Sequence, residues 1–423
     1  MLPRKLLTFT SALLTLFLLI RFAPRSDAQQ QASVDKAQTE NASENACVGV
    51  NAQRTRVFDS PAVLSAGSLV WKTGILFESY STRTDVATLV GMGRNNTSAV
   101  IKEPSGHSFT DLMFARDALY FGIYINDGYL ISQDAKTGKD RWRFKLKGVS
   151  VSSPAVAGGA AYIGASDNAM YAVDVATGLE RWRFKPGSKK VIPFAPVVDG
   201  GLVFFGASEE GGTYGSLLDG RIYALDCQTG KQVWTFKTDA ILDFPAISHK
   251  TLFVTDSNGD LRALESETGK ERWKLKFKKA LGPPAIMNDT VYFHDHEGTL
   301  YAVDKQSGQT KWKTAKAFKA GSALAIGNDL ICYSAEGNSV YAVDPANGSP
   351  KWKFPIRGQC LSPVMAGGLV YFSCRDGFIY AVDAATGTQR WKLESKGTFS
   401  TSPAIANGVM YFLNADGHMY AVR

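Results

Sequence analysis

The 423-residue chain has 40 glycines, 11% aromatic residues, five cysteines and a formal net charge of +8. None of the cysteines lies in a C-x-x-C or C-x-x-C-H arrangement, which excludes zinc-ribbon, thioredoxin-like and c-type haem sites. The length admits two or three ordinary domains, but a repeat fold grows by adding units, so one repeat domain is sufficient.

The N-terminus reads Met1-Leu2-Pro3-Arg4-Lys5, then an apolar run from Leu6 to Ile20, then Ser26-Asp27-Ala28. A basic start, an apolar run too short for the ~20 residues of a membrane span and small residues at a cut site describe an export signal over 1–28, with cleavage after Ala28. The alternative is an uncleaved segment that tethers the chain to the membrane. Removing 1–28, with four cations and one anion, lowers the charge from +8 to +5, a mild excess that suits solubility or an acidic partner. Residues 29–56 are rich in Gln, Ala, Ser and Asn, with few large apolar side chains to bury, and read as a disordered linker.

From residue 57 onward the chain repeats. The plainest unit is Ala172-Val173-Asp174-Val175-Ala176-Thr177-Gly178-Leu179-Glu180-Arg181-Trp182, of the form A-x-D-x-x-T-G-x-x-x-W. Units end at Trp142, Trp182, Trp234, Trp273, Trp312, Trp352 and Trp391, at intervals of 40, 52, 39, 39, 40 and 39 residues. Between tryptophans, short runs such as Ser152–Ala157, Ala160–Ala165, Met170–Asp174 and Glu180–Phe184 alternate with Gly-Gly, Asp-Asn and Thr-Gly turns. Four strands in about 40 residues describe a β-propeller blade, and the density of β-branched and turn residues excludes helical repeats.

The motif glycines, Gly138, Gly178, Gly230, Gly269, Gly308, Gly348 and Gly387, fall where a hairpin needs positive φ. The acidic residue before them accepts turn amides, and the tryptophan fills the wedge between blades while its N–H finds a backbone acceptor. The C-terminal unit, 398–423, stops before its own Thr-Gly and Trp, while Gly67 to Trp71 supplies that portion upstream. The expected fold is therefore all-β: an eight-bladed propeller of four-stranded blades over 57–423, its ring closed by an N-terminal strand around Trp71 completing the last blade.

Two stretches break the period, 82–108 and 208–220, and in repeat proteins such insertions often carry function. Glu209, Glu210 and Tyr214 in the second are the candidate partner-binding residues. His294-Asp295-His296-Glu297 has a spacing at which His294 and His296 are weak metal candidates, and its position in the repeat reads as a solvated turn. Asp256-Ser257-Asn258-Gly259-Asp260 imitates the start of a calcium loop, lacks the distal glutamate and reads as a hairpin turn.

The loops from each outer strand to the next blade are rich in lysine, among them Lys145, Lys185, Lys276 and Lys279. The turns on the same face carry Asp127, Asp167, Asp219, Glu297, Glu336, Asp376 and Asp416. Mixed charge points to mutual compensation and away from nucleic acid. Of Cys47, Cys227, Cys332, Cys360 and Cys374, only Cys360 and Cys374 flank one hairpin. With a two-residue turn at Gly367-Gly368 they lie one position out of register, so only a bulge or a three-residue loop would join them.

The A-x-D-x-x-T-G-x-x-x-W units resemble the tryptophan-docking motif of the quinoprotein-type (PQQ-like) eight-bladed propellers over residues 60–423. That resemblance implies one of two branches, an enzymatic one using pyrroloquinoline quinone (PQQ) with calcium, and a non-enzymatic, BamB-like one of the outer-membrane assembly machinery. The enzymes carry large insertions and a vicinal cysteine pair. No two cysteines adjoin here, so the chain is more similar to the BamB-like branch, although its signal has no lipobox cysteine. The expected function is an exported, periplasmic or extracellular monomeric scaffold for protein partners, with no cofactor and no catalytic residue. A small PQQ oxidoreductase and a cell-wall or carbohydrate-binding propeller are the alternatives.

Overall fold

The computed structural model describes residues 57–58, 69–75, 108–125, 127–148, 152–187, 191–210, 217–238, 240, 244–315, 322–327, 329–335, 338–395, 398–415 and 417–423. The export signal, the linker, residues 82–107 of the first period-breaking stretch, Tyr214 and Cys47 lie outside the described residues.

Eight sheets follow one another around a ring. The second blade is representative, with strands Ala155–Ala157, Ala160–Ala165, Ala169–Asp174 and Glu180–Phe184 joined as an antiparallel meander. In six blades the first two strands meet in tight turns with two described residues at positive φ, such as Gly158 at 56° and Gly159 at 72°. That geometry is the type I′ turn whose twist matches the flanking strands.

The eighth blade takes Ala404–Ala406, Val409–Leu413 and His418–Val422 from the C-terminus, and its outer strand, β2 (Leu69–Gly74), from the N-terminus. β2 pairs antiparallel, Trp71 opposite Ala421 and Gly74 opposite His418. Preceding it, β1 (Val57–Phe58) pairs in parallel with Val364–Ala366, the innermost strand of the seventh blade, as a fifth strand. The repeat pattern gives no hint of β1, because its two-residue pairing carries no periodicity.

The core is distributed over eight apolar clusters, each between one blade and the next. Ala155, Tyr162 and Trp182 of the second blade pack with Val203, Phe205 and Leu225 of the third. The last cluster joins Tyr411, Leu413 and Met419 to Ile75, Leu119 and Phe121, and so completes the circle.

The tryptophan dock is the same from blade to blade. Trp142 Nε1 donates to Val175 O at 2.9 Å, Trp182 to Cys227 O at 2.9 Å and Trp234 to Ser266 O at 2.7 Å. Among the described residues, seven of the rings lie over the motif glycine of the following blade, so closely that a Cβ on Gly178 would stand 2.6 Å from Trp142 Cγ. These glycines also have φ near 70°, so both backbone and space demand them.

The motif aspartate staples the turn. Asp174 Oδ1 accepts from the amides of Ala176 and Thr177 and from the Thr177 hydroxyl. Arg181 first, then these donors, hold its carboxyl down at about 2. The cation before six of the tryptophans is a brace that the sequence reading did not single out. Arg181 pairs with Asp174 at 2.7 Å and reaches Gly158 O at 3.1 Å, tying the outer strand to the inner hairpin.

Two sequence readings are corrected. The 208–220 stretch is not simply a surface loop, since strands Leu202–Glu210 and Leu217–Asp226 extend through most of it, with Ser208 opposite Gly220. Asp219 accordingly lies within a strand and not at a turn. The register of the seventh blade also shifts: Val364 faces Tyr371, but Cys360 faces Cys374, and the two cysteines form a disulfide. Pro363 lies between these pairs and lacks an amide for the ladder, which permits the one-residue slip.

Candidate functional site

Where inner strands of neighbouring blades converge, the fifth residue of each second strand reaches into the next blade. Thr255 Oγ1 donates to Gly282 O at 3.0 Å, Ser334 Oγ to Cys360 O at 3.0 Å and Ser373 Oγ to Thr401 O at 3.1 Å. In the second blade the position is Gly164, where a Cβ would stand 2.8 Å from Pro193 O, so close approach replaces the hydrogen bond. The repeat contained this signal in part, since these positions are small or hydrogen-bonding except for Leu413 in the eighth blade, but it reads as turn chemistry in one blade at a time.

His294 occupies that position in the fifth blade, which corrects its reading as part of a solvated turn. It ends strand Thr290–His294 and is 7% exposed, and Asp295 beside it is 5% exposed. Its ring packs on Gly282, where a Cβ would stand 2.6 Å from Cε1. Burial pushes its pKa below the ordinary histidine value, against main-chain hydrogen bonds from Asp295 and Ser322, with His296 adding a smaller push the same way. His296, by contrast, is exposed. Asp295 Oδ1 accepts the amides of Glu297 and Thr299 and its Oδ2 accepts the Tyr301 hydroxyl. Among the described residues no three His, Cys, Asp or Glu side chains are grouped to hold an ion.

A folded-state histidine pKa below the unfolded value means that the unfolded chain binds the proton more readily. Stability is then fully present above about pH 6.5 and declines as pH falls through that value toward the folded pKa, by at most ~1.4 kcal/mol per pH unit. His294→Ser, which copies the sixth and seventh blades, is expected to remove this slope. Urea midpoints at several pH values between neutral and mildly acidic would show it; an unchanged slope would assign the acid sensitivity to other groups.

Asp256-Ser257-Asn258-Gly259-Asp260 is a hairpin turn, with Asp256 Oδ1 accepting the amides of Asn258 and Asp260. Burial raises the Asp256 pKa. Burial also opposes ionisation of Asp260, but Lys274, Lys276 and Arg262 overcome it and hold that carboxyl below the usual range. Two carboxylates beside three cations are a charge network and a poor calcium site.

The lysines and acids of this face pair with one another: Lys145 with Asp127 at 2.7 Å, Lys185 with Asp167 at 3.4 Å and Lys279 with Glu297 at 2.8 Å. The two free cysteines among the described residues are Cys227 and Cys332. Burial pushes the Cys227 thiol up to about 11 and raises that of Cys332 as well, which withholds the thiolate that nucleophilic catalysis needs. A calcium-held quinone requires a cluster of hard oxygen ligands, and the described residues do not fit it.

Of the candidate partner residues, Glu209 lies opposite both Val191 and Asp219, and Glu210 opposite Leu217, on an arm formed by the longest second and third strands among the described residues, those of the first blade coming next at eight and eight. Its second and third strands run to nine and ten residues, against six and six in the second blade.

A family model described as outer membrane protein assembly factor BamB matches residues 62–234, 218–359 and 336–423. Among solved structures, BamB from Moraxella catarrhalis is similar with a TM-score of 0.61 at 19% identity, covering 74% of this chain and 95% of that one. Quinohemoprotein alcohol dehydrogenase from Comamonas testosteroni is similar with a TM-score of 0.71 at 15% identity, covering 90% of this chain and 81% of that one. The computationally designed Ika8 protein is also similar, with a TM-score of 0.64 at 16% identity and coverage of 74% and 94%. No curated protein sequence matches. At these identities the solved structures establish the fold alone, whereas the family model spans the ring, and the chain belongs to the family described as outer membrane protein assembly factor BamB.

Proposed function

We propose that the chain is an exported, non-enzymatic propeller scaffold that binds protein partners in assembly of the cell envelope. The observation that carries this reading is the arm of the third blade, Leu202–Glu210 paired with Leu217–Asp226, the longest second- and third-strand pair among the described residues. Ring closure does not need it, and strands already paired cost little further ordering on binding, which suits recognition. The Cys360–Cys374 disulfide supports an oxidising, extracytoplasmic compartment, in agreement with the N-terminal export signal. Membership of the BamB family supports outer-membrane protein assembly as the process served.

The test is co-purification from the native envelope with the intact chain and with residues 209–217 deleted. A partner is expected with the first and is lost with the second; a partner retained equally by both would overturn the role of the arm. In parallel, PQQ with calcium is expected to leave the melting temperature unchanged, since only a ligand that binds the native state raises it. A saturable rise would favour a quinoprotein oxidoreductase instead.

A further inference from the structure

The ladders within the seventh blade are antiparallel, and β1 alone runs parallel to its neighbour. That neighbour, Val364–Ala366, is the innermost strand of the blade, so its free edge borders the central channel of the ring. β1 fills that edge, with Val57 opposite Met365 and Phe58 opposite Ala366, and it also lies beside Ala325–Gly327, the innermost strand of the sixth blade. Among the described residues no other innermost strand has a partner on its channel side.

Two features prepare this wall of the channel. Gly327 is the only glycine in the eight innermost strands, each of three residues, and a glycine inside a strand often marks a place where another backbone comes close. The sixth and seventh blades are also tied together just ahead of the strands that flank β1: Ala323 N donates to Ser362 Oγ at 3.1 Å and Ser334 Oγ to Cys360 O at 3.0 Å. The Cys360–Cys374 bond fastens the second tie to the body of its blade. A wall fixed in advance costs little ordering when a strand is added to it.

Direction follows from the parallel pairing. Each innermost strand starts after the lysine-bearing loops and ends at its first tight turn, here Gly367-Gly368. β1 runs the same way, so Val57 is its end nearer the lysine-bearing face. β2 starts at Leu69 on the opposite face, as every outer strand starts from its motif turn. The ten residues between Phe58 and Leu69 can span about 33 Å, and the four strands from axis to rim need only about 15 Å.

We propose that the channel wall formed by Ala325–Gly327 and Val364–Ala366 is a strand-binding site whose occupant is this chain's own β1, passed through the ring from the lysine-bearing face to the face of the motif turns. The site takes an extended segment with a β-branched residue followed by an aromatic one, held by main-chain hydrogen bonds. Tethered so close, β1 acts at an effective concentration of the order of millimolar, so a free segment of like sequence at micromolar concentration competes at a disadvantage of about a thousandfold. The channel is thereby closed to peptides in solution while β1 is seated. The inference stands apart from the scaffold reading, since retention or loss of an envelope partner at the arm bears on neither β1 nor its wall.

The first measurement places a photoreactive group in the full chain by Phe58→benzoylphenylalanine. Irradiation is expected to crosslink it to the innermost strands of the sixth or seventh blade within one chain, mapped by mass spectrometry after proteolysis. Crosslinks confined to other segments overturn the site, and crosslinks to those strands in a second copy overturn the choice of occupant. The second measurement uses full-length Val57→Pro/Phe58→Pro, which removes both amides of β1. The probe is a blocked peptide copying residues 53–62, with the same peptide N-methylated at the valine and phenylalanine as control. Saturable binding to the proline variant is expected, at least about a hundredfold weaker to the native chain and at least about tenfold weaker for the methylated control. Equal binding to native and variant chains, or no binding to a variant that still melts cooperatively, overturns the proposal. If the variant does not fold, the crosslinks in the otherwise native chain decide.

Discussion

Trp182→Ala is expected to lower the unfolding free energy by about 3–5 kcal/mol, the usual range for deleting a buried large aromatic side chain. The ring is 8% exposed and packs between Ala155, Tyr162 and Ala172 of its own blade and Val203 and Leu225 of the next. Its Nε1 donates to Cys227 O at 2.9 Å, so truncation leaves both a cavity and a lost hydrogen bond. Gly230→Ala is expected to be comparably damaging for two separable reasons. Its φ of 68° costs an L-residue about 1–2 kcal/mol, and its new methyl would stand 2.5 Å from Trp182 Cδ2. With the ring gone, only the backbone term remains. The double variant should therefore be more stable than the sum of the single losses predicts, by at least about 1 kcal/mol, as expected for groups in contact. Denaturant unfolding of the four proteins measures the coupling. Strict additivity would mean that tryptophan and glycine contribute independently and that docking is not the interaction between blades.

The dock was legible because it recurs. Seven tryptophans at a near-constant interval, each following its own motif glycine, announce one geometry seven times, and the geometry has a single steric solution. What escaped the sequence was whatever happens once. His294 lies at a place that reads as a turn beside Gly164 and Ser334, and only the convergence of blades shows it to be interior. The Cys360–Cys374 bond depends on a one-residue slip, and Leu281 opposite Asp295 in the fifth blade shows the same slip, there across Pro283-Pro284. Proline withholds its amide but does not say which way the register will move. β1 pairs with a strand some three hundred residues later through two residues, too little for any pattern to record.

Deletion of residues 1–75 is expected to destabilise the protein far more than deletion of 1–56, because the first removes the strand that closes the ring. β2 contributes five paired positions along His418–Val422. Trp71 Nε1 donates to Ala135 O at 2.9 Å, and its ring covers Gly138 of the first blade, so β2 holds the eighth blade to the first as every other tryptophan holds its neighbours. Ile75 is fully buried in the cluster between those blades, and its carbonyl accepts from Arg143 at 3.2 Å. Exposing a buried isoleucine costs about 1.5–3 kcal/mol and each lost hydrogen bond about 0.5–1.5 kcal/mol. The total is of the order of 5 kcal/mol or more, at the lower end of the stability of a whole domain. A fall in melting temperature of about 10 °C or more is expected for the 1–75 deletion, against about 2 °C or less for 1–56. Deletion of 1–68, which removes β1 but retains β2, separates the contribution of the innermost fifth strand from that of ring closure. The open blade would also expose the edge of His418–Val422, whose sequence His-Met-Tyr-Ala-Val carries no lysine or arginine to guard it, so the 1–75 deletion should associate as concentration rises. Equal melting curves for the 1–56 and 1–75 deletions would mean that the ring is held without its eighth outer strand. In that case the stability of the propeller would reside in the six described docks that remain, and circular closure would be geometry without energetic weight.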